Sequence, residues 1–142
     1  MFSKTIFSIL IFLFLAFMSF AQSPIGTWKT IDDETGAAKS HVEIYEKNGK
    51  LYGKIVKLLQ REPDVLCVPC PGEKKNQKVL GMEILWDLQP YEDYWSYGKV
   101  LDPESGKEYK CNVSINGNNK LDLRGYIGFA ALGRTQTWER IE

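Results

Sequence analysis

The chain is poor in the groups that carry chemistry. It has one histidine, His41, and three cysteines in 142 residues. No Gly-x-Ser-x-Gly elbow presents a nucleophile. With a single histidine, general-base hydrolysis has nothing to stand on. Basic and acidic residues cancel at 18 each. That balance gives no electrostatic case for nucleic acid, which is held chiefly through its phosphates. No basic amphipathic helix is present to lie on a membrane surface. Beyond the N-terminus no apolar run approaches the roughly 20 residues of a membrane-spanning helix. No segment shows a convincing helical repeat either.

What is present begins with a leader. Lys4 supplies a positive start, Ile6–Phe17 is almost unbroken apolar sequence, and Ser19-Phe20-Ala21 offers small residues at the cleavage positions. The pattern reads as a secretory signal peptide at 1–21, cut after Ala21. Gln22, rather than Cys, follows the cut, which argues against a lipid anchor. The remaining 22–142 form one domain of about 120 residues, large enough to bury about two thirds of its unfolded surface. The expected location is periplasmic or secreted, a setting where disulfides persist. Three cysteines allow at most one internal bridge.

From Ile25 onward, short strand-like runs alternate with turn chemistry. Ile25–Ile31 ends in Asp32-Asp33-Glu34-Thr35-Gly36. Ser40–Glu46 alternates and meets Asn48-Gly49, a strong hairpin signal because both residues accept positive φ. Leu51–Leu59 returns. Residues 60–80, with Pro63, Pro69, Pro71 and Gly72, cannot sustain a ladder and read as a long loop of the kind that is functional or flexible. Gly81–Leu88, Tyr94–Leu101, Glu108–Asn116, Lys120–Ile127 and Arg134–Ile141 complete about eight strands. In Glu108–Asn116, Tyr109, Cys111, Val113 and Ile115 share a face. In the next strand Leu121, Leu123, Gly125 and Ile127 do so. Short strands at even spacing with hairpin links predict an all-β, antiparallel up-and-down barrel. Eight strands leave room for a packed core or one small ligand.

Closure requires first and last strands to meet. Gly26-Thr27-Trp28 near the start and Trp138-Glu139-Arg140 near the end are suited to it. Arg140 stacked on the Trp28 ring would be a cation–π contact, and Gly26 lets the ring pack closely. At these residues the chain resembles the calycins: the Gly-x-Trp of lipocalins, fatty-acid-binding proteins and avidins, with the late Arg that covers that Trp in lipocalins. A second resemblance spans nearly all of 22–142. Ile25-Gly26-Thr27-Trp28, the Cys-x-x-Cys loop, Gly98–Pro103, Gly106–Tyr109, Leu123–Gly128 and Arg134–Trp138 resemble the exported bacterial family called domain of unknown function 2147. That resemblance implies a Gram-negative bacterial source and a lipocalin-like barrel. It implies no activity and no site.

Each catalytic or metal-binding pattern meets a simpler explanation. Cys67-Val68-Pro69-Cys70 has redox spacing, but it lies in a proline-flanked loop rather than at a helix start, where thiol pKa values fall. A disulfide pinning the loop is the expectation, Cys67 to Cys70, with Cys111 bridged to either loop cysteine as the alternative. A zinc site from Cys67, Cys70, Cys111 and His41 has the right ligand types, but strand alternation points His41 outward. Gly128–Thr135 imitates a phosphate loop, with Arg134 for Lys and a strand where a helix is needed. The acidic pairs in Asp32–Glu34 and Asp102/Glu104 are turn residues, although glycosidases use paired carboxylates. Asp87, Glu92 and Asp93 could line a rim. No catalytic residue, metal or cofactor is expected.

The aromatics carry the remaining information. Trp86, Trp95, Tyr97, Tyr126 and Trp138 lie in expected strands, with Arg124, Arg134 or Gln136 as polar anchors. These make a candidate binding set for a small apolar ligand, since pockets combine apolar walls with a few placed polar groups. The expectation is a non-enzymatic, lipocalin-like carrier with no nucleic-acid partner and no membrane span after cleavage. The competing reading is a structural or interaction module whose barrel is filled and whose long loop is the contact surface.

Overall fold

The computed structural model describes residues 22–129 and 132–141. The leader expected at 1–21 lies outside the described residues. Eight strands follow in order: β1 (Gly26–Ile31), β2 (Ala38–Lys47), β3 (Lys50–Leu58), β4 (Glu83–Tyr91), β5 (Tyr94–Leu101), β6 (Glu108–Asn116), β7 (Lys120–Tyr126) and β8 (Arg134–Arg140). Each is antiparallel to its neighbours, and β8 returns to β1 to close the barrel.

The seam is short. Only Trp28 opposite Arg140 and Lys29 opposite Glu139 are in register. Side chains reinforce it. The Arg140 guanidinium lies 4.2 Å from the centroid of the fully buried Trp28 ring. Its Nη1 and Nη2 donate to the carbonyls of Ile25 and Ser23 at 3.1 and 2.7 Å. Trp28 Nε1 donates to Pro24 O at 2.8 Å. The segment 23–25 is thereby drawn across one pole of the barrel. Gly26 opens β1 opposite Ile44.

Links alternate between the poles. At the pole beside Trp28 they are tight hairpins: Asn48-Gly49, with φ of 55° and 79°, Glu92-Asp93, and 117–119. At the opposite pole they are longer: 32–37, 59–82, 102–107 and 127–133. Inward residues near the tight pole interdigitate as a packed core of Trp28, Val42, Ile44, Leu51, Leu88, Val113 and Leu121, all 5% exposed or less. Cys111 is buried among them and free, and burial pushes its thiol up to about 12.

Two irregularities alter the expected faces. In β4, Asp87 has φ 62°, so Leu85 and Leu88 both face inward although three positions apart, and the strand runs on to Tyr91. In β5, Tyr97 has φ 63° and is 64% exposed, beside a register shift against β6. Such bulges re-aim side chains. Ile127, expected inward, lies past the end of β7 and is 70% exposed.

The long loop is ordered around its disulfide, Cys67–Cys70. Cys67 N donates to Gln77 O and Val79 N to Val65 O, at 2.8 and 3.0 Å, making a small two-stranded excursion with one 3-10 turn at Gly72–Lys74. Both cysteines and Val79 are buried. The excursion rests on the β5–β6 turn. Cys67 Sγ lies 3.3 Å from Pro103 O, and Gly106, at φ 74°, leaves no room for a side chain beneath the Pro69 carbonyl. Among the described residues no helix is long and apolar enough to cross a membrane.

Candidate functional site: the open pole of the barrel

Towards the long links, the inward side chains stop meeting and a cavity of about 540 Å³ remains. That volume lies within the range of small-molecule sites, about 300–1,000 Å³. Trp138, Leu123 and Ile55 form its floor, and Val100, Leu101 and Tyr109 line one wall. The long loop contributes Val79 and Arg61, and Leu58 and Ile84 flank them. The barrel is therefore filled at one pole and hollow at the other.

Thr30, Ser40 and Gln136, among the cavity's uncharged polar groups, are already engaged. Thr30 and Ser40, on paired strands, share a hydroxyl–hydroxyl bond of 2.9 Å, and Ser40 N donates to Thr30 Oγ1 at 3.1 Å. Trp138 Nε1 donates to Gln136 Oε1 at 3.0 Å. Gln136 Nε2 in turn donates to Asp33 Oδ1 at 3.3 Å. Arg134 Nε and Nη2 donate to Asp33 Oδ2 at 2.9 and 2.7 Å, and Arg134 also reaches Glu34 at 3.0 Å. One chain of hydrogen bonds thus runs from the floor to the lip and ties the β1–β2 link to β8. Across the mouth Lys39 pairs with Glu104 at 3.2 Å. Backbone amides of Thr35 and Glu34 hold the Asp32 carboxyl below its usual range, so this turn residue is ionised. Among the described residues, no three of His, Cys, Asp and Glu come together to hold a metal ion.

Of the eight residues expected to line a pocket, Tyr126, Arg134, Gln136 and Trp138 border the cavity. The other four do not, each for a stated reason. Trp86 lies on the outer surface, its ring under Lys74 Nζ at 4.0 Å. Trp95 packs against the core near the β4–β5 hairpin, at the filled pole. Tyr97 is turned out by its bulge and meets Tyr91 edge-on at 5.7 Å. Arg124 is on the outer face, where Nη1 donates to Thr135 Oγ1 at 2.9 Å. Asp87, expected at a rim, accepts the Tyr52 hydroxyl on the outside of β3–β4. Tyr109 was readable from strand alternation; Ile55 was not, because the face of Leu51–Leu59 is ambiguous in the sequence. Arg61 and Val79 were not, because an irregular loop has no periodicity to place them.

Comparisons with known proteins agree with this architecture. Protein HP1028 from Helicobacter pylori, whose solved structure is described as belonging to the lipocalin family, superimposes with a TM-score of 0.75. The two are 25% identical over 85% of this chain and 84% of that one. No curated protein matches the sequence. The model of a family described as "Uncharacterized protein conserved in bacteria (DUF2147)" matches residues 26–140. With all eight strands inside that match, the chain belongs to the DUF2147 family and has a lipocalin-like barrel.

Proposed function

We propose that the protein is a non-catalytic carrier of the cell envelope or its exterior that holds a small, largely apolar molecule in the open-pole cavity. The observation that carries this reading is the unfilled half of the barrel, walled by aliphatic and aromatic side chains. A cavity of that lining gains from any apolar surface it removes from water, at about 25 cal/mol per Å². The Cys67–Cys70 disulfide suits an oxidising compartment. The polar groups of the wall are bonded to one another rather than aimed at a common point, which fits retention better than catalysis.

The test is native mass spectrometry of the protein exposed to a total lipid extract, read beside tryptophan emission. Bound species and an emission shift from Trp138 are expected. A second arm fills the cavity. An added Cβ at Gly125 meets nothing nearer than Tyr109 Cβ at 3.5 Å, so Gly125→Leu should keep the melting temperature and abolish retention. A protein that emerges empty, with unchanged emission, removes the carrier reading.

A further inference from the structure

The charged groups at the cavity differ in one respect. Arg134 and Lys39 are held by carboxylates. Arg61 is not. Among the described residues it has no ion pair, and its Nη1 is shielded from solvent without a hydrogen-bond acceptor. It lines the cavity beside Val79 and Leu58. A guanidinium cannot shed its charge in a protein. A buried donor on a cation that lacks an acceptor is costly, more so than a neutral one. Among the other polar side chains of the wall, Thr30, Ser40 and Gln136 already satisfy each other or Asp33. The cavity therefore offers an incoming molecule apolar contact, the hydroxyls of Tyr109 and Tyr126, and one cation without a carboxylate partner.

We propose that the cavity selects amphiphiles with an anionic head, of carboxylate or phosphate type, and that Arg61 receives that head while the tail lies over Trp138, Leu123 and Ile55. The inference rests on the carrier reading and names its ligand class. An opposing feature is the acidic lip, Asp32, Asp33, Glu34, Asp102 and Glu104. Those charges are exposed or part-exposed and mostly paired, and ions screen them within about 8–10 Å. The part-buried Arg61 guanidinium would act on the head at contact, where screening is weakest.

The test compares three probes of one chain length, dodecanoate, dodecanol and dodecylammonium, by titration of tryptophan emission or calorimetry. Dodecanoate should bind at least about tenfold more tightly than dodecanol, the ratio given by one charge-assisted hydrogen bond. Arg61→Gln should bring the two within about twofold, chiefly by weakening dodecanoate. Arg61→Lys, which keeps the charge, should restore part of the preference, and added salt should reduce it. Thermal melts of both variants check that the loop remains folded. Equal binding of dodecanoate and dodecanol, tighter binding of dodecylammonium, or a preference that survives Arg61→Gln overturns the inference and leaves the carrier reading standing. Binding of none of the three overturns both.

Discussion

The two poles of the barrel are built from the same eight strands and end in opposite states. At one, hairpins of two or three residues keep strand ends close, and side chains from facing strands meet: Trp28, Ile44, Leu88, Val113 and Leu121 leave no gap. At the other, links of six residues or more hold the strand ends apart, and their inward positions carry small or polar residues such as Thr30, Ser40 and Gly125. Link length and side-chain volume together decide which half is a core and which a container. Stability should reside at the first pole, and freedom to change at the second.

That contrast can be broken experimentally. The largest effect is expected from Trp28→Ala. It removes a fully buried ring and leaves the Arg140 guanidinium unstacked at the seam, and should cost about 3–5 kcal/mol in urea denaturation. A loss below about 1 kcal/mol would mean that the filled pole is not what holds the fold, since buried aromatic truncations cost several times that.

Breaking the staple of the open pole comes next. The double change Cys67→Ser with Cys70→Ser opens a very short loop, so the entropic loss is about 2 kcal/mol or less. Hydrogen exchange should rise within 61–79 and stay flat in β1, β2 and β8. Exchange that rises across the whole barrel would erase the distinction between poles.

The smallest effect sharpens the comparison at the lip. Arg134→Ala breaks ion pairs to Asp33 and Glu34 that are largely exposed, so stability should fall by less than about 1 kcal/mol. If the carrier proposal holds, ligand release should quicken, because the tie between the β1–β2 link and β8 is lost. A melting curve displaced as far as that of Trp28→Ala would show that the lip is structural and no gate.

Legibility in the sequence followed the same division. Much of the filled pole could be read from turns, alternation and one end-to-end pair, although Trp95, expected at a pocket, packs there. Asn48-Gly49 fixes a turn, Tyr109 to Ile115 alternates, and Trp28 with Arg140 announces closure. The open pole could not, because what shapes it is not periodic. Positive φ at Asp87 and Tyr97 changes which residues face inward, so counting by twos placed Tyr97 wrongly. Arg61 reaches the cavity only because residues 59–82 fold back onto the turn holding Pro103 and Gly106, a contact between segments roughly 35 residues apart. The Cys67–Cys70 pairing was favoured because Cys111 falls on the apolar face of its strand, but the sequence did not show where the stapled excursion would dock.

Arg140 clasps Ser23 and Ile25 at the blind end of the barrel, so both ends of the described chain depart from that side. A tether joined at Gln22 or Ile141 would therefore leave the mouth pointing away from its attachment. Surface immobilisation at either position would keep the opening uncovered, and a linker between those two positions could be brief.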